Sequence, residues 1–127
     1  MVWAAISYNS KSPLIFLEGT GKKGVQALDY YDQVLVPVVG PAFNGLLDYK
    51  RVQEGGLYVE DQAPVHGTEG MLVGAKGALG IPLHERPSCS PDLNPIENVW
   101  RILKQRIKAR SRFPSTVAEM RVAVQEE

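Results

Sequence analysis

The chain has 127 residues, of which 44% are apolar and 22% are charged, and its 14 basic and 14 acidic residues give a formal net charge of zero. This length and composition accommodate one small globular domain and exclude wholesale disorder. Because the total charge is zero, only the distribution of charge along the chain can indicate a polyanionic partner.

Two further classes of protein are not indicated. The single cysteine, Cys89, cannot form an intramolecular disulfide, so a disulfide-stapled secreted scaffold is excluded. The first residues lack the basic start and the long apolar stretch of a signal peptide. No apolar run reaches the ~20 residues that a membrane helix needs. We therefore expect a soluble intracellular protein without a membrane partner.

The first part of the chain predicts a hairpin followed by a helix. Two apolar runs, residues 2–8 and 13–18, are separated by a polar turn and predict paired strands. From residue 24 to 47, apolar residues recur at spacings of three and four, which predicts a helix. Pro37 and Pro41 should break that helix, because proline lacks the backbone N–H that a helix interior uses.

The middle of the chain predicts short strands and a weak helix. Residues 48–56 are polar and predict a loop, and residues 57–61 predict a short strand that ends in two acids. Residues 68–78 predict a helix weakened by glycines, and Gly80 should end it. Residues 81–83 contain a proline and predict an edge strand.

The last third predicts a loop over residues 85–93 and then two helices. Asn94 is the predicted N-cap of the first helix, with Pro95 at its first position and Glu97 three residues after the cap. Residues 116–119 form a capping box that opens the second helix. The apolar stripe of the first helix comprises Ile96, Val99, Trp100, Leu103 and Ile107. Strands mixed with helices predict an α/β layer architecture over residues 1–127.

Two sequence motifs point to a specific family. Residues 90–100 read SPDLNPIENVW, which is close to the run that closes the catalytic domain of mariner-superfamily transposases, and an eleven-residue match is highly specific. Residues 61–66 read DQAPVH and resemble the second family motif, D-N-A-P-x-H, with Gln62 in place of the usual asparagine. Asp61 of this motif and Glu97 of the first motif are separated by 35 residues, a spacing similar to that of the family. The chain thus resembles a DDE-type transposase catalytic domain.

The resemblance implies a fold and an activity. The family has an RNase-H-like α/β fold that cuts and joins DNA strands at transposon ends and target DNA, using Mg²⁺ or Mn²⁺ held by three carboxylates. Asp61 matches the second carboxylate and Glu97 the third. The first carboxylate and its central strand would precede Val2, so we expect an incomplete RNase-H-like fold that is marginal or aggregation-prone alone and catalytically incomplete. The family resemblance also implies a nuclear location in a eukaryotic host.

Simpler roles compete with metal binding at these positions. Glu97 alone is more typical of a capping-box residue that closes on Asn94, and Asp61 alone is more typical of a turn residue before Pro64. The surrounding motifs favour metal binding, because hard oxygen ligands suit magnesium and two such ions can serve the attacking and leaving oxygens of a phosphodiester. His66 remains open between binding a metal, orienting a carboxylate and capping the next helix.

A basic run directly follows the third carboxylate. Six basic residues fall within twelve positions, and no acidic residue lies between Glu97 and Glu119. The six are Arg101, Lys104, Arg106, Lys108, Arg110 and Arg112. A solvated helix face is the common origin of such a run, but its place beside Glu97 favours contact with DNA phosphates.

The sequence is compatible with three functional hypotheses. The chain is a fragment of a transposase enzyme, a remnant that binds DNA without cutting it, or a partner that pairs with full-length transposase. Salt-dependent DNA binding without cleavage separates the second from the first. Co-purification with an intact transposase supports the third.

Overall fold

The structure, a computed structural model, describes residues 1–7, 10–44, 56–61, 63–66, 71–84 and 93–127. The chain forms two compact units, Met1–Ser90 and Pro91–Glu127. The predicted loops at residues 48–56 and 85–93 lie almost entirely outside the described residues, as do Gln62 and Cys89. Among the helices in these described ranges, none is both long and apolar enough to cross a membrane.

The first unit begins with the predicted hairpin. Strand β1 (Val2–Trp3) pairs antiparallel with β2 (Ile15–Phe16), and Val2 lies opposite Phe16. An isolated bridge between Ile6 and Lys11 continues the pairing toward the turn. The hairpin is confirmed, although its strands are shorter than predicted.

Side-chain bonding accounts for the short strands. The backbone N–H of Ala5 donates to the hydroxyl of Ser12 at 2.8 Å instead of to a carbonyl of the opposite strand. Serine side chains that satisfy nearby backbone groups compete with regular strand pairing. The next residue, Pro13, has no N–H to donate. The regular ladder is therefore confined to the two residue pairs farthest from the turn.

The predicted helix continues through both of its prolines. Helix α1 (Ala27–Tyr30) leads without interruption into a π-helical segment (Tyr31–Val39) and then into α2 (Gly40–Phe43). The prediction that Pro37 and Pro41 break the helix is wrong. Pro37 lies within the π-helical segment, whose i to i+5 bonding differs from the α-helical geometry in which the proline ring meets the carbonyl four residues earlier. Neither Pro37 nor Pro41 donates a backbone bond, but the helical segment continues through both.

The predicted strands at residues 57–61 and 81–83 are reduced to one isolated parallel bridge between Tyr58 and Leu83. The N–H of Tyr58 donates to the carbonyl of Pro82 at 2.7 Å, and the N–H of His84 donates to the carbonyl of Tyr58 at 2.9 Å. Because Pro82 cannot return a bond, the pairing does not extend into a ladder.

The predicted turn after Asp61 is a 3₁₀ helix (Pro64–His66), and helix α3 (Met71–Ala78) follows it. Helix α3 ends at Gly80 as predicted. Gly80 has a φ of +69°, and its N–H donates to the carbonyl of Gly77 at 3.0 Å. The N–H of Ile81 donates to the carbonyl of Lys76 at 3.0 Å. This pair of bonds is a Schellman motif, which satisfies the last carbonyls of a helix.

One hydrophobic core lies in the first unit. It joins the hairpin to the helical segment and to α3, so the segment that carries Asp61 is packed among regular elements. Its buried residues are Trp3, Leu17, Tyr30, Val34, Leu35, Val39, Tyr58, Val65, Leu72 and Ile81.

The second unit consists of helices α4 (Ile96–Ala109) and α5 (Val117–Glu126). Helix α4 begins later than predicted, because its N-cap is Pro95 and no side chain caps it. Asn94 is buried and instead offers its carbonyl to the N–H of Glu97 at 3.0 Å. A tight backbone turn therefore replaces the predicted side-chain cap.

The other predictions for this unit are confirmed with one exception. Thr116 and Glu119 form the predicted capping box at the start of α5. In the predicted apolar stripe of α4, Ile96 and Ile107 are buried. Val99 is 43% exposed, so it lies at the edge of the predicted apolar stripe and not in its packed part. At 3.6 residues per turn, Val99 lies about 40° beyond the arc that contains the other four stripe positions.

Candidate functional site

Asp61 follows directly on the short segment held by the Tyr58 bridge. Its Oδ1 accepts a bond from the N–H of Ala63 at 3.1 Å, and its side chain is 45% exposed. This local bond is the turn-forming role that competed with metal binding in the sequence. It occupies Oδ1 only, and within the described residues Oδ2 has no hydrogen-bond partner. The turn and an additional ligand are therefore compatible.

His66 orients the Asp61 carboxylate. Its Nδ1 lies 2.5 Å from Oδ1 of Asp61 and 3.3 Å from the carbonyl oxygen of the same residue. Both oxygens are acceptors, so Nδ1 carries the hydrogen that it donates to them. The ring also packs on Tyr30, with 4.7 Å between centroids. Of the three roles left open by the sequence, this geometry supports orientation of the carboxylate.

Glu97 lies in the first turn of α4 and is partly buried. The capping-box role that competed with metal binding is not realised, because the helix has no side-chain cap contact. In the part of the chain that the structure describes, the Glu97 carboxylate has no hydrogen bond or ion pair. Asp61 belongs to the first unit and Glu97 to the second, and each is held by its own local structure.

Three of the six basic residues in the run after Glu97 pair with α5. Arg110 contacts the carboxylates of Glu126 at 2.5 Å and Glu127 at 3.1 Å. The Glu126 contact chiefly, and the Glu127 contact in addition, raise the pKa of the Arg110 guanidinium. Arg112 contacts the carboxylate of Glu119 at 3.3 Å, and Arg106 donates a hydrogen bond to the main-chain carbonyl of Glu127 at 3.3 Å. These residues help to hold the two helices together.

The other three basic residues are exposed and share a face with Glu97. Arg101, Lys104 and Lys108 have no ion pair within the described residues. Together with Glu97 they follow spacings of four, three and four, which places all four within an arc of about 60° on α4. We call Arg101, Lys104 and Lys108 the cationic face. One side of the helix therefore presents a carboxylate in its first turn and three unpaired cations farther along.

A comparison with protein families decides the relationship. The profile of the DDE superfamily endonuclease family matches residues 2–120, which is most of the chain. The chain belongs to the DDE superfamily of endonucleases. It is also 34% identical over 110 residues to the transposable element Tcb1 transposase of Caenorhabditis briggsae. The aligned region covers 85% of this chain and 36% of that transposase, so the chain spans about a third of its relative. The resemblance to mariner-type transposases is confirmed.

The described residues of this DDE endonuclease chain contain no group of three or more His, Cys, Asp or Glu side chains that could hold a metal. The two motif carboxylates nevertheless suit the divalent metals that this superfamily generally uses, because magnesium and manganese prefer carboxylate oxygen. Oδ2 of Asp61 and both oxygens of Glu97 fit that requirement.

The sequence did not indicate the polar network behind Asp61. Lys76 is fully buried, and its ammonium contacts a carboxylate oxygen of Glu60 and the carbonyl oxygen of His66, the latter at 2.7 Å. The hydroxyl of Tyr30 donates to the other carboxylate oxygen of Glu60 at 3.1 Å. Because that bond uses the Tyr30 hydrogen, the Tyr58 hydroxyl donates to Tyr30, at 2.7 Å.

Burial keeps both tyrosines of this network in their neutral form. Loss of solvent raises the pKa of Tyr30 far above its usual range, and the neighbouring Tyr58 and Glu60 raise it further. Burial also raises the pKa of Tyr58, with the Glu60 carboxylate as the next cause. Both hydroxyls therefore keep their hydrogens and serve as donors at neutral pH.

Proposed function

We propose that this chain is part of a DDE transposase catalytic domain with an RNase-H-like fold, in which Asp61 and Glu97 bind divalent metal. The observation that carries the proposal is that both motif carboxylates retain oxygens without partners among the described residues. The local roles that compete for them leave Oδ2 of Asp61 and the whole Glu97 carboxylate available. The capping role is not realised at Glu97, and the turn role at Asp61 engages only one of its two carboxylate oxygens.

The proposed chemistry is metal-dependent cleavage and strand transfer of DNA. When bound, two Mg²⁺ or Mn²⁺ ions supply charge stabilisation to the attacking and leaving oxygens. In this chain, His66 fixes the orientation of Asp61, and the first turn of α4 supports Glu97. The family resemblance implies a first carboxylate to which no motif in the 127 residues corresponds. We therefore expect negligible cleavage by these 127 residues alone.

The proposed DNA contact is made by the cationic face. Its three side chains are exposed, and they follow Glu97 along one side of α4. Phosphates lie along a DNA strand at intervals that exposed cations on a helix can follow, and such contacts carry no sequence information. Glu97 and the cationic face would then act on the same stretch of DNA backbone.

Calorimetric titration with Mn²⁺ tests the metal assignment. We expect Asp61→Asn and Glu97→Gln each to weaken Mn²⁺ binding by at least about tenfold, since removing even an outer-shell partner costs that much. The matched control is Asp32→Asn, which removes an exposed carboxylate from the π-helical segment and should leave binding unchanged. Equal Mn²⁺ binding by all three variants would contradict the assignment.

A DNA-binding remnant without metal chemistry is the second candidate, and the unpaired cationic face favours it. This candidate predicts that the chain binds DNA and that any binding of Mn²⁺ is independent of Asp61 and Glu97.

Incubation of a supercoiled plasmid with the protein and Mg²⁺ tests cleavage activity directly. Robust nicking that is lost in Glu97→Ala would support the metal assignment and would contradict the expectation that the 127 residues are inactive alone. Association with full-length transposase would be detected by co-purification.

A further inference from the structure

A lysine with no exposed surface lies behind the Asp61–His66 pair. Lys76 is the sixth residue of α3, and its side chain is buried rather than exposed to solvent. Burying an ammonium group is costly unless it is paired and hydrogen-bonded. Its partners, the Glu60 carboxylate and the His66 carbonyl, meet that requirement.

These two partners are the residues that control Asp61. Glu60 precedes Asp61 in the chain, and His66 donates to the Asp61 carboxylate from Nδ1. Lys76 therefore contacts both the carboxylate of the residue before Asp61 and the carbonyl of the residue that orients the Asp61 side chain. Tyr30 supports the same two residues, because its hydroxyl donates to Glu60 and its ring packs on His66.

We propose that Lys76 is a positioning residue for the Asp61 carboxylate. It acts through His66, whose backbone it holds in place by bonding the carbonyl of that residue. A lysine that served only to neutralise Glu60 would not need the contact with His66, and that contact, at 2.7 Å, distinguishes the two roles. The inference deepens the proposed function, on which it rests for the identity of Asp61 as a metal ligand.

The test centres on a double variant that leaves no unpaired charge in the core. The double variant Lys76→Met with Glu60→Gln removes both charges together, so it avoids the penalty of a single buried ion. Glu60→Gln alone keeps an oxygen at position 60 and keeps the bond from Lys76 to His66. The control is Lys11→Met, which removes an exposed lysine from the hairpin.

Two measurements report on positioning. Nitrogen NMR of the histidine rings, at a pH where histidine is neutral, shows which ring nitrogen of His66 carries the hydrogen. In the unsubstituted chain, Glu60→Gln and Lys11→Met, we expect hydrogen on Nδ1. In the double variant we expect a mixture of the two tautomers and a loss of Mn²⁺ affinity of about tenfold or more. Circular dichroism confirms that each variant is folded.

Each outcome decides the proposal. An unchanged His66 tautomer in the folded double variant would overturn it. If the double variant does not fold, the Glu60→Gln variant provides the test. Loss of the hydrogen on Nδ1 of His66 in that variant would show that the Glu60 charge, and not Lys76, determines the tautomer, and would overturn the proposal. If the unsubstituted chain shows no Mn²⁺ binding that depends on Asp61, the proposed metal site fails, while the tautomer measurement still tests the role of Lys76.

Discussion

Asp29 shows how one carboxylate can fix the start of a helix. It accepts bonds from the hydroxyl of Thr20 at 2.6 Å, from the N–H of Thr20 at 3.2 Å and from the N–H of Gln26 at 2.9 Å. The Thr20 hydroxyl, followed by the Gln26 N–H, lowers the pKa of Asp29 below its model-peptide value of 3.8. The ionised form is therefore the one that stabilises the fold.

The lowered pKa predicts a pH-dependent effect of Asp29→Asn. A group whose pKa is lower in the folded state stabilises the fold above its unfolded pKa, and it loses that effect as the pH falls through the folded pKa. We expect Asp29→Asn to reduce the free energy of unfolding at neutral pH, with the difference from the parent shrinking below about pH 3.8. Urea unfolding at several pH values measures this. The matched control is Asp32→Asn, which removes an exposed carboxylate from the same helical segment.

Residue identity in the site was predictable where a motif carried it. The motifs singled out Asp61 and Glu97, and the structure adds that His66 orients the first of them. Lys76 was missed because lysine is seldom buried. Its spacing from Leu72 and Leu79, four and three residues, places it on the buried face of α3 and was the available signal. Its pairing with Glu60 is a tertiary contact that spacing does not reveal.

At the scale of elements, the helical region around the two prolines was the least predictable. The rule that proline breaks a helix assumes α-helical bonding, and the π-helical segment does not use it. Within the π-helical segment, Val34, Leu35 and Val39 are buried, whereas Val36 is 42% exposed. Apolar spacing was read at 3.6 residues per turn, and a π-helical segment does not follow that period.

Helix ends were more predictable because their chemistry is local. Thr116 with Glu119 gave the correct start of α5, and Gly80 gave the correct end of α3. The predicted start of α4 was wrong, because Asn94 is buried and accepts a bond from the helix through its backbone carbonyl and not through its side chain. Burial depends on tertiary packing, and a capping motif does not contain that information.

The end of α3 provides a test with an internal control. Gly80 has a left-handed backbone, so we expect Gly80→Ala to lower the free energy of unfolding by about 1–2 kcal/mol. An added Cβ at Gly77 would meet no atom within 4 Å, and its φ is not positive. Gly77→Ala should therefore stabilise the protein, by up to about 1 kcal/mol. Chemical denaturation measures both variants. A loss of stability in Gly77→Ala would contradict the ordinary helical geometry assigned to that position.

At the scale of the whole molecule, the sequence indicated the family, and the family comparison confirmed it. The mixed α/β class was also correct, although the sheet in the described residues has only two strands. The division into two units was not predicted, because a chain of this length is expected to form one domain. The basic run was seen in the sequence, but its division into paired and unpaired residues depends on α5, which supplies the acidic partners.

Because only half of the basic run pairs with α5, variants can separate the effect of the cationic face on DNA binding from the effect of net charge. Each of three triple variants replaces three cations with glutamine and so changes the total charge equally. The three sets are the cationic face, the α5-paired group Arg106, Arg110 and Arg112, and the exposed group Lys11, Lys22 and Lys23. If binding followed total charge alone, the three variants would weaken it to the same degree.

We expect only the variant of the cationic face to lose most of its DNA affinity. If all three side chains contact phosphates, the slope of the logarithm of the binding constant against that of salt should become shallower by about 2.7, since each neutralised phosphate contributes ~0.9. The variant of the α5-paired group should lose thermal stability before it loses affinity, because its ion pairs join the two helices. Fluorescence anisotropy with a duplex at several salt concentrations measures the slopes. Similar slopes for the cationic-face and Lys11 group variants would show that α4 is not the DNA contact.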